Sequence, residues 1–249
     1  MFNTIKSYCM SLERAENIIC PHLKFEHFKA DLFLKIRNLI YNHNNHHPWL
    51  ALNNEQLLKI AGLWQNNFQG EGYTLAAVLL LGKDEVIQKL LPHYKIEIFD
   101  RIHEMHSHGG YECIRTNLID AYDKLIDFIN QRARLRNGML REIVGNLIVH
   151  REYMHDHACT LILHEDRIET INANRPNGEG PIDFKRFTPI SKNPLISKFF
   201  AQLGRFNGVG SGMLNLSKAI KINCVNGKPV FIEGAIFRMQ VPVLRSGSI

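Results

Sequence analysis

Between Arg141 and Tyr153 the chain reads REIVGNLIVHREY. One helix accounts for most of it, and its polar residues are ordered. On an α-helix, Glu142, Asn146 and His150 stand at i, i+4 and i+8 in a row on one face. Leu140, Ile143, Val144, Leu147 and Ile148 share the opposite face, the core side. A carboxylate and a carboxamide one turn apart suit metal–nucleotide chemistry. The Asn146 oxygen is a neutral, hard ligand for Mg²⁺, an ion that keeps several waters and takes few protein ligands. The Glu142 carboxylate can accept a proton from an attacking water. Gly145 gives up helix propensity, about 1 kcal/mol against alanine, which fits the close approach of another group. The same spacing also describes a helix whose outer face is merely solvated, and spacing alone favours that plainer reading.

A second feature bears on anions. GVGSG, from Gly208 to Gly212, runs straight into an amphipathic helix. Glycines there admit positive φ and let backbone N–H groups reach an anion at a helix N-terminus. A hinge or a tight turn fits equally well. Other clusters carry less. His103, Glu104, His106 and His108 in HEMHSH lack the i, i+4 histidine pair of H-E-x-x-H zinc sites. His155 and His157 fall in the turn after the helix and read as surface loop. Ser191, Ser197 and Ser211 have no nucleophile-elbow context. No Walker-type G-x-x-x-x-G-K-[ST] occurs, which excludes a P-loop helicase motor.

The elements that must position these residues are ordinary ones. The chain has 249 residues, enough for one large domain or two modest ones. It is 45% hydrophobic and 22% charged, as soluble globular proteins are. The formal charge of +6 mildly favours anionic partners such as nucleotide or nucleic acid. No apolar run approaches the ~18 residues of a membrane span, so no membrane partner is expected. The N-terminus lacks a secretory pattern. Cys9, Cys20, Cys113, Cys159 and Cys224 are widely spread and odd in number. Reduced thiols in the cytoplasm are the simplest reading.

Along the chain, the polar stretch from Asn42 to Trp49 reads as loop. Asn53 or Asn54 caps a helix with Leu57, Leu58, Ala61 and Trp64 at helical spacing. TLAAVLLLG is a buried segment ending at Gly82, and a short helix follows, stopped before Pro92. YKIEIFDRI alternates and reads as a strand. Met105 to Glu112 reads as a turn and as the best boundary. Leu118, Ala121, Tyr122, Leu125, Ile126 and Ile129 form the apolar stripe of a long helix. After the opening helix, two strands meet at a tight turn at Glu165–Asp166. Asn193 caps a short helix with Pro194 in its first position. KPVFIEGAIFRMQVPVL closes the chain as a hairpin.

Four segments in this order, LREIVGNLIVHREY, the strands ending in ETIN, SKNPLISKFFAQLG and GVGSGMLNL, resemble a family of bacterial transcriptional regulators also labelled RecG-related. These join a Schlafen/AlbA-type divergent domain to an ATP-binding domain of the GHKL kind, the superfamily of DNA gyrase and histidine kinases. The resemblance covers roughly residues 50–244. It implies an α/β fold, more closely an α+β two-layer sandwich with a mixed, mostly antiparallel sheet. Residues 109–249 would form the GHKL-like domain. Residues 1–108 would form a smaller, mainly helical segment following an AlbA-type domain, and residues 1–48 match nothing familiar.

By resemblance, Glu142 and Asn146 match the E-x-x-x-N core of the superfamily's nucleotide box. Asn146 would hold Mg²⁺ and Glu142 would orient or deprotonate water. His150 and Arg151 match the family's HR pair and would touch phosphates or fix the helix end. Gly208, Gly210, Ser211 and Gly212 would cradle phosphates. Asn172 stands where GHKL proteins carry an Asp that reads the adenine amino group, and no glycine follows it before Gly178. Two functions of different class follow. One is an ATP–Mg²⁺-binding regulatory domain with slow hydrolysis, reaching DNA through a separate N-terminal domain, with a homodimer left open. The other is a degenerate GHKL-like scaffold for dimerisation or protein contact that binds no nucleotide.

Overall fold

The computed structural model describes residues 14–67, 70–102, 110–133, 135–176, 180–182, 191–207 and 227–243. Its first helix, α1 (Ala30–His43), forms where Leu32, Phe33, Ile36 and Ile40 recur at helical spacing, and all four are buried. It carries Asn42 and His43, which the polar composition assigned to a loop. Both side chains are exposed, so they leave the helical ladder undisturbed. Asn44 closes the helix, its N–H donating to Ile40 O at 2.7 Å.

Helix α2 (Asn54–Ile60) has the reciprocal cap that its sequence announces. Asn53 Oδ1 accepts from Gln56 N at 2.9 Å, and Gln56 Oε1 accepts from Asn53 N at 3.0 Å. The helix stops short of Trp64, which spacing had placed on it. Gly62 takes φ +76, and Leu63 N returns to Leu58 O at 2.8 Å, a left-handed helix termination. Trp64 then opens strand β2 (Trp64–Asn67), which with β1 (Ile19–Cys20) and β3 (Gly70–Thr74) makes a three-stranded antiparallel sheet in the order β1-β3-β2. Helix α3 (Leu75–Leu81) is buried at every residue and ends at Gly82, where a Cβ would lie 2.5 Å from Val78 O. Helix α4 (Asp84–Leu90) follows.

The larger sheet comprises β4 (Ile96–Asp100), β5 (Tyr111–Ile114), β6 (Cys159–Leu163), β7 (Arg167–Ala173), β8 (Gly180–Pro181), β9 (Val230–Glu233) and β10 (Ile236–Pro242). Its order is β5-β4-β6-β7-β10-β9-β8. Among the described residues, only the β4–β6 pair of this sheet is parallel. A parallel pair needs a crossover, and here it contains α5 (Leu118–Arg132) and α6 (Asn137–Val149). The fold is thus α+β with mixed sheets. One register row, Ile98, Leu161, Thr170, Met239 and Phe231, crosses five strands and is buried throughout. The adjacent row, from Glu97 to Ile232 through Thr160, Ile171 and Arg238, faces the other way. Helix α6 lies on the buried face, against β7.

The sheet runs across the division expected at residues 108–109: β4 lies before it and β5 after it. Strand β5 occupies part of the expected turn because Tyr111, Glu112 and Cys113 are all exposed, and only Ile114 is buried. An edge strand of that kind shows no alternation. The turn at Glu165–Asp166 joins β6 to β7 as read. Among the described residues, no helix is long and apolar enough to cross a membrane, and Cys20, Cys113 and Cys159 are free thiols.

Candidate functional site

Helix α6 does not present a solvated face. Glu142 is 2% exposed and Asn146 6%, while Leu140, Ile143, Val144, Leu147 and Ile148 are buried on the other side. A helix buried all round draws its stability from packing on both faces. Asn146 Nδ2 donates to Glu142 O at 2.7 Å and to Glu142 Oε1 at 3.0 Å. Both amide protons therefore point back toward Glu142, which turns Asn146 Oδ1 the other way. Burial pushes the Glu142 carboxyl above the ordinary carboxylate range, against hydrogen bonds from Asn146 and Asn207.

The group that approaches Gly145 is the Phe206 ring, with which a Cβ at this position would collide. Phe206 and Asn207 arrive from α7 (Pro194–Gln202) through a turn in which Gly204 takes φ +68. Asn193 precedes α7 but does not cap it. Its Nδ2 donates to Val149 O at 2.8 Å and Arg151 O at 2.7 Å, satisfying carbonyls at the end of α6. The cap comes from Glu16, whose two oxygens accept from Leu195 N and Ile196 N, each at 2.9 Å. Glu16 is fully buried, and burial raises its pKa against those two bonds.

Asn172 lies on β7 beneath the helix. Its Nδ2 donates to Leu147 O at 2.9 Å, while its Oδ1 is buried without a partner among the described residues. Asn174, two residues on and so on the same side, repeats the pattern. Its Nδ2 donates to Gly234 O at 2.8 Å, and its Oδ1 has no partner among the described residues. Native structures leave few buried acceptors unpaired, so two at one strand end mark a place where a donor belongs. Asn174 escaped the sequence reading, although the alternation in NAN is the signal that pairs it with Asn172.

His150 and Arg151 pack within the protein, and two Arg151 nitrogens, Nε and Nη2, are buried without a partner among the described residues. His150 leaves the helix with φ −100 and ψ 34 and lies against Phe237, with ring centroids 6.5 Å apart. Burial, with the charge of Lys192 added, pushes its pKa down to about 4, so the ring is neutral near pH 7. Lys192 itself bonds Glu152 Oε1 at 3.2 Å and Arg175 O at 2.9 Å. Arg151 is buried, 5.0 Å from the Tyr94 ring centroid and 5.5 Å from that of Tyr153. Its Nη1 donates to Lys95 O at 2.9 Å, tying the end of α6 to the start of β4. Gly208, Gly210, Ser211 and Gly212 lie outside the described residues, as does the histidine cluster from His103 to His108.

Two cavities open elsewhere. One, of about 630 Å³, is lined by Ile19, Cys20, Leu23, Val86 and Leu90 among others. The other, of about 470 Å³, is lined by His43, Tyr122, Asn137, Arg141 and Gly204 among others. Neither includes Glu142 or Asn146.

A family model described as a domain of unknown function (DUF8451) matches residues 10–97, which end within β4 and before α6. No curated protein matches the chain. Among solved structures, the DIP2311 protein from Corynebacterium diphtheriae is similar, with a TM-score of 0.65 at 14% identity over 96% of this chain and 49% of that one. The chain therefore spans about half the length of that protein. A likeness at this identity concerns the fold, and it takes in both the segment before β4 and the larger sheet.

Proposed function

We propose that the chain binds a nucleoside triphosphate with its Mg²⁺ between α6 and the end of β7, as the GHKL-type regulatory domain of a DNA-associated transcriptional regulator. The observation that carries this reading is the buried Glu142–Asn146 pair on α6 together with the Asn172 and Asn174 amide oxygens at the end of β7, which hydrogen-bonds the same helix at Leu147 O; both oxygens are buried without a partner among the described residues. Such an arrangement costs stability unless something else uses it. Asn172 is held by its donor end, so only its acceptor end is offered. An acceptor suits the exocyclic amino group of adenine and opposes the carbonyl that guanine carries in its place. Asn146 Oδ1 fits a magnesium ion as a neutral oxygen ligand. A carboxyl with a raised pKa is a fitting base for a water at slow turnover. DNA contact through a separate domain rests on the family resemblance of the segments around α6.

Thermal or urea unfolding with ATP and MgCl₂ tests the proposal. Ligand at 100 times its Kd adds about 2.7 kcal/mol, and Asn146→Ala should abolish that gain. A second reading, a scaffold without nucleotide, draws on Phe206, whose ring covers the Gly145 side of the same helix face. No stabilisation by millimolar ATP–Mg²⁺, with the wild-type chain folded, would select the scaffold.

A further inference from the structure

The turn between α6 and β6 carries a second group of donors that the nucleotide reading leaves unused. His155, Asp156 and His157 follow one another there, and each offers one ligand atom, all within 4.8 Å of one another. We propose that this turn binds a divalent transition ion of the zinc class through these three side chains, with water completing its shell.

The turn is held at both ends. On one side Tyr153 is buried, its OH donating to Ile148 O at 2.8 Å. On the other, Cys159 opens β6 and is also buried. Between them His155 N donates to Glu152 O at 3.1 Å, and His157 N donates to His155 Nδ1 at 3.1 Å. The ligand-bearing backbone is therefore shaped before any ion arrives, which limits the ordering cost of binding.

The spacing within the turn points the same way. His155 Nδ1 accepts the His157 N–H at 3.1 Å and stands 3.0 Å from Asp156 Oδ1. An ion at that nitrogen would take the place of the N–H on its one ring lone pair. With bonds of about 2.1 Å, neighbouring ligands on one ion lie roughly 3.0–3.4 Å apart and opposite ones about 4.2 Å. The His155–Asp156 pair already has the first spacing. The full set needs less than about 1 Å of adjustment, which exposed side chains make freely. Two imidazoles and one carboxylate favour zinc, nickel or copper over magnesium or calcium. Three protein ligands on an exposed turn leave coordination positions open, as in reactive rather than closed structural sites.

The test is calorimetric titration of the untagged full chain with ZnCl₂, in parallel with His155→Ala/His157→Ala and Asp156→Asn. Because the chain has 13 histidines, the readout is the loss of one binding equivalent. The double variant should lose one micromolar equivalent, and Asp156→Asn should weaken that equivalent severalfold. Far-ultraviolet circular dichroism of all three without metal should coincide, since the substituted side chains are exposed. The proposal is overturned if the wild type binds no zinc saturably below 1 mM, a bound set on the order of exposed, weak sites. It is equally overturned if the double variant keeps every equivalent, which would place the ion at other histidines. Neither outcome bears on ATP.

Discussion

Among the described residues, two of the buried carboxylates have no cation bound to them, and they are treated differently: Glu16 takes backbone donors and Glu142 takes side-chain amides. Glu16 and Glu142 both have pKa values raised by burial. Glu16 takes two backbone N–H groups at the N-terminus of α7, donors that helix geometry leaves without a partner inside the helix. Glu142 is met by side-chain amides, one from its own helix and one from Asn207. Remove the first, and helix donors are stranded. Remove the second, and the amides can turn. Glu16 is therefore an integral part of the fold, whereas Glu142 is a burden the fold tolerates. A buried polar group that stability does not need is where function is to be sought.

The largest effect should fall on the first carboxylate. Glu16→Ala leaves two buried N–H groups unpaired and opens space, and should cost about 3 kcal/mol in urea unfolding. A loss below about 0.5 kcal/mol would erase the contrast between the two regions. The same variant loosens α7, and with it the Phe206–Asn207 segment that reaches α6. Hydrogen exchange of residues 195–207 should therefore quicken more than that of β6 and β7.

His150 gives the next effect, through pH. Its pKa is lowered in the folded chain, so below its unfolded value the unfolded state binds more protons. Stability is then whole above about pH 6.5 and falls as pH drops toward 4. A shift of that size is worth about 3 kcal/mol at its limit. His150→Gln should flatten this part of the stability–pH curve while leaving the acid loss from carboxylates. An unchanged slope between pH 6.5 and 4.5 would mean that the ring is not buried as a neutral group.

What could be read in the sequence follows the same division between local and distant. The Glu142–Asn146 pair is one helical turn, so its spacing was visible, and so were α5, the β6–β7 hairpin and the Asn53 cap. Gly145 signalled a close neighbour without saying which, because Phe206 reaches it from another helix. Glu16 gave no sign at all, since its contacts with α7 span 179 and 180 residues of chain. Asn193 misled for the opposite reason. Its position promised a cap, but the open carbonyls at the end of α6 were better partners. Strands β2 and β5 carry polar or exposed residues, and their pairing is set by neighbours in the sheet rather than by their own pattern.

Gly145→Ala probes the joint between the two regions. The added methyl meets the Phe206 ring, and overpacking should cost about 2 kcal/mol, outweighing the gain in helix propensity. Pairing it with Phe206→Leu should recover part of the loss, because the shorter side chain vacates the space. If Gly145→Ala is as stable as wild type, α6 and the segment after α7 are not in contact in solution, and Asn207 cannot be steering Glu142.

The smallest effect on stability should be the most informative about the site. Glu142→Gln keeps an oxygen for the Asn146 amide and removes a charge whose burial disfavours it. A group with a raised pKa stabilises the fold least where it is ionised, so its burden grows as pH rises through the folded pKa. The substitution should leave stability at pH 5 within about 0.5 kcal/mol of wild type and match or exceed it at pH 8. Glu16→Gln has no such freedom, because its amide nitrogen would face a helix N–H that needs an acceptor. It should lose stability at both pH values. If the two glutamine variants behave alike, both carboxylates are structural, and nothing in their energetics marks α6 as a functional helix.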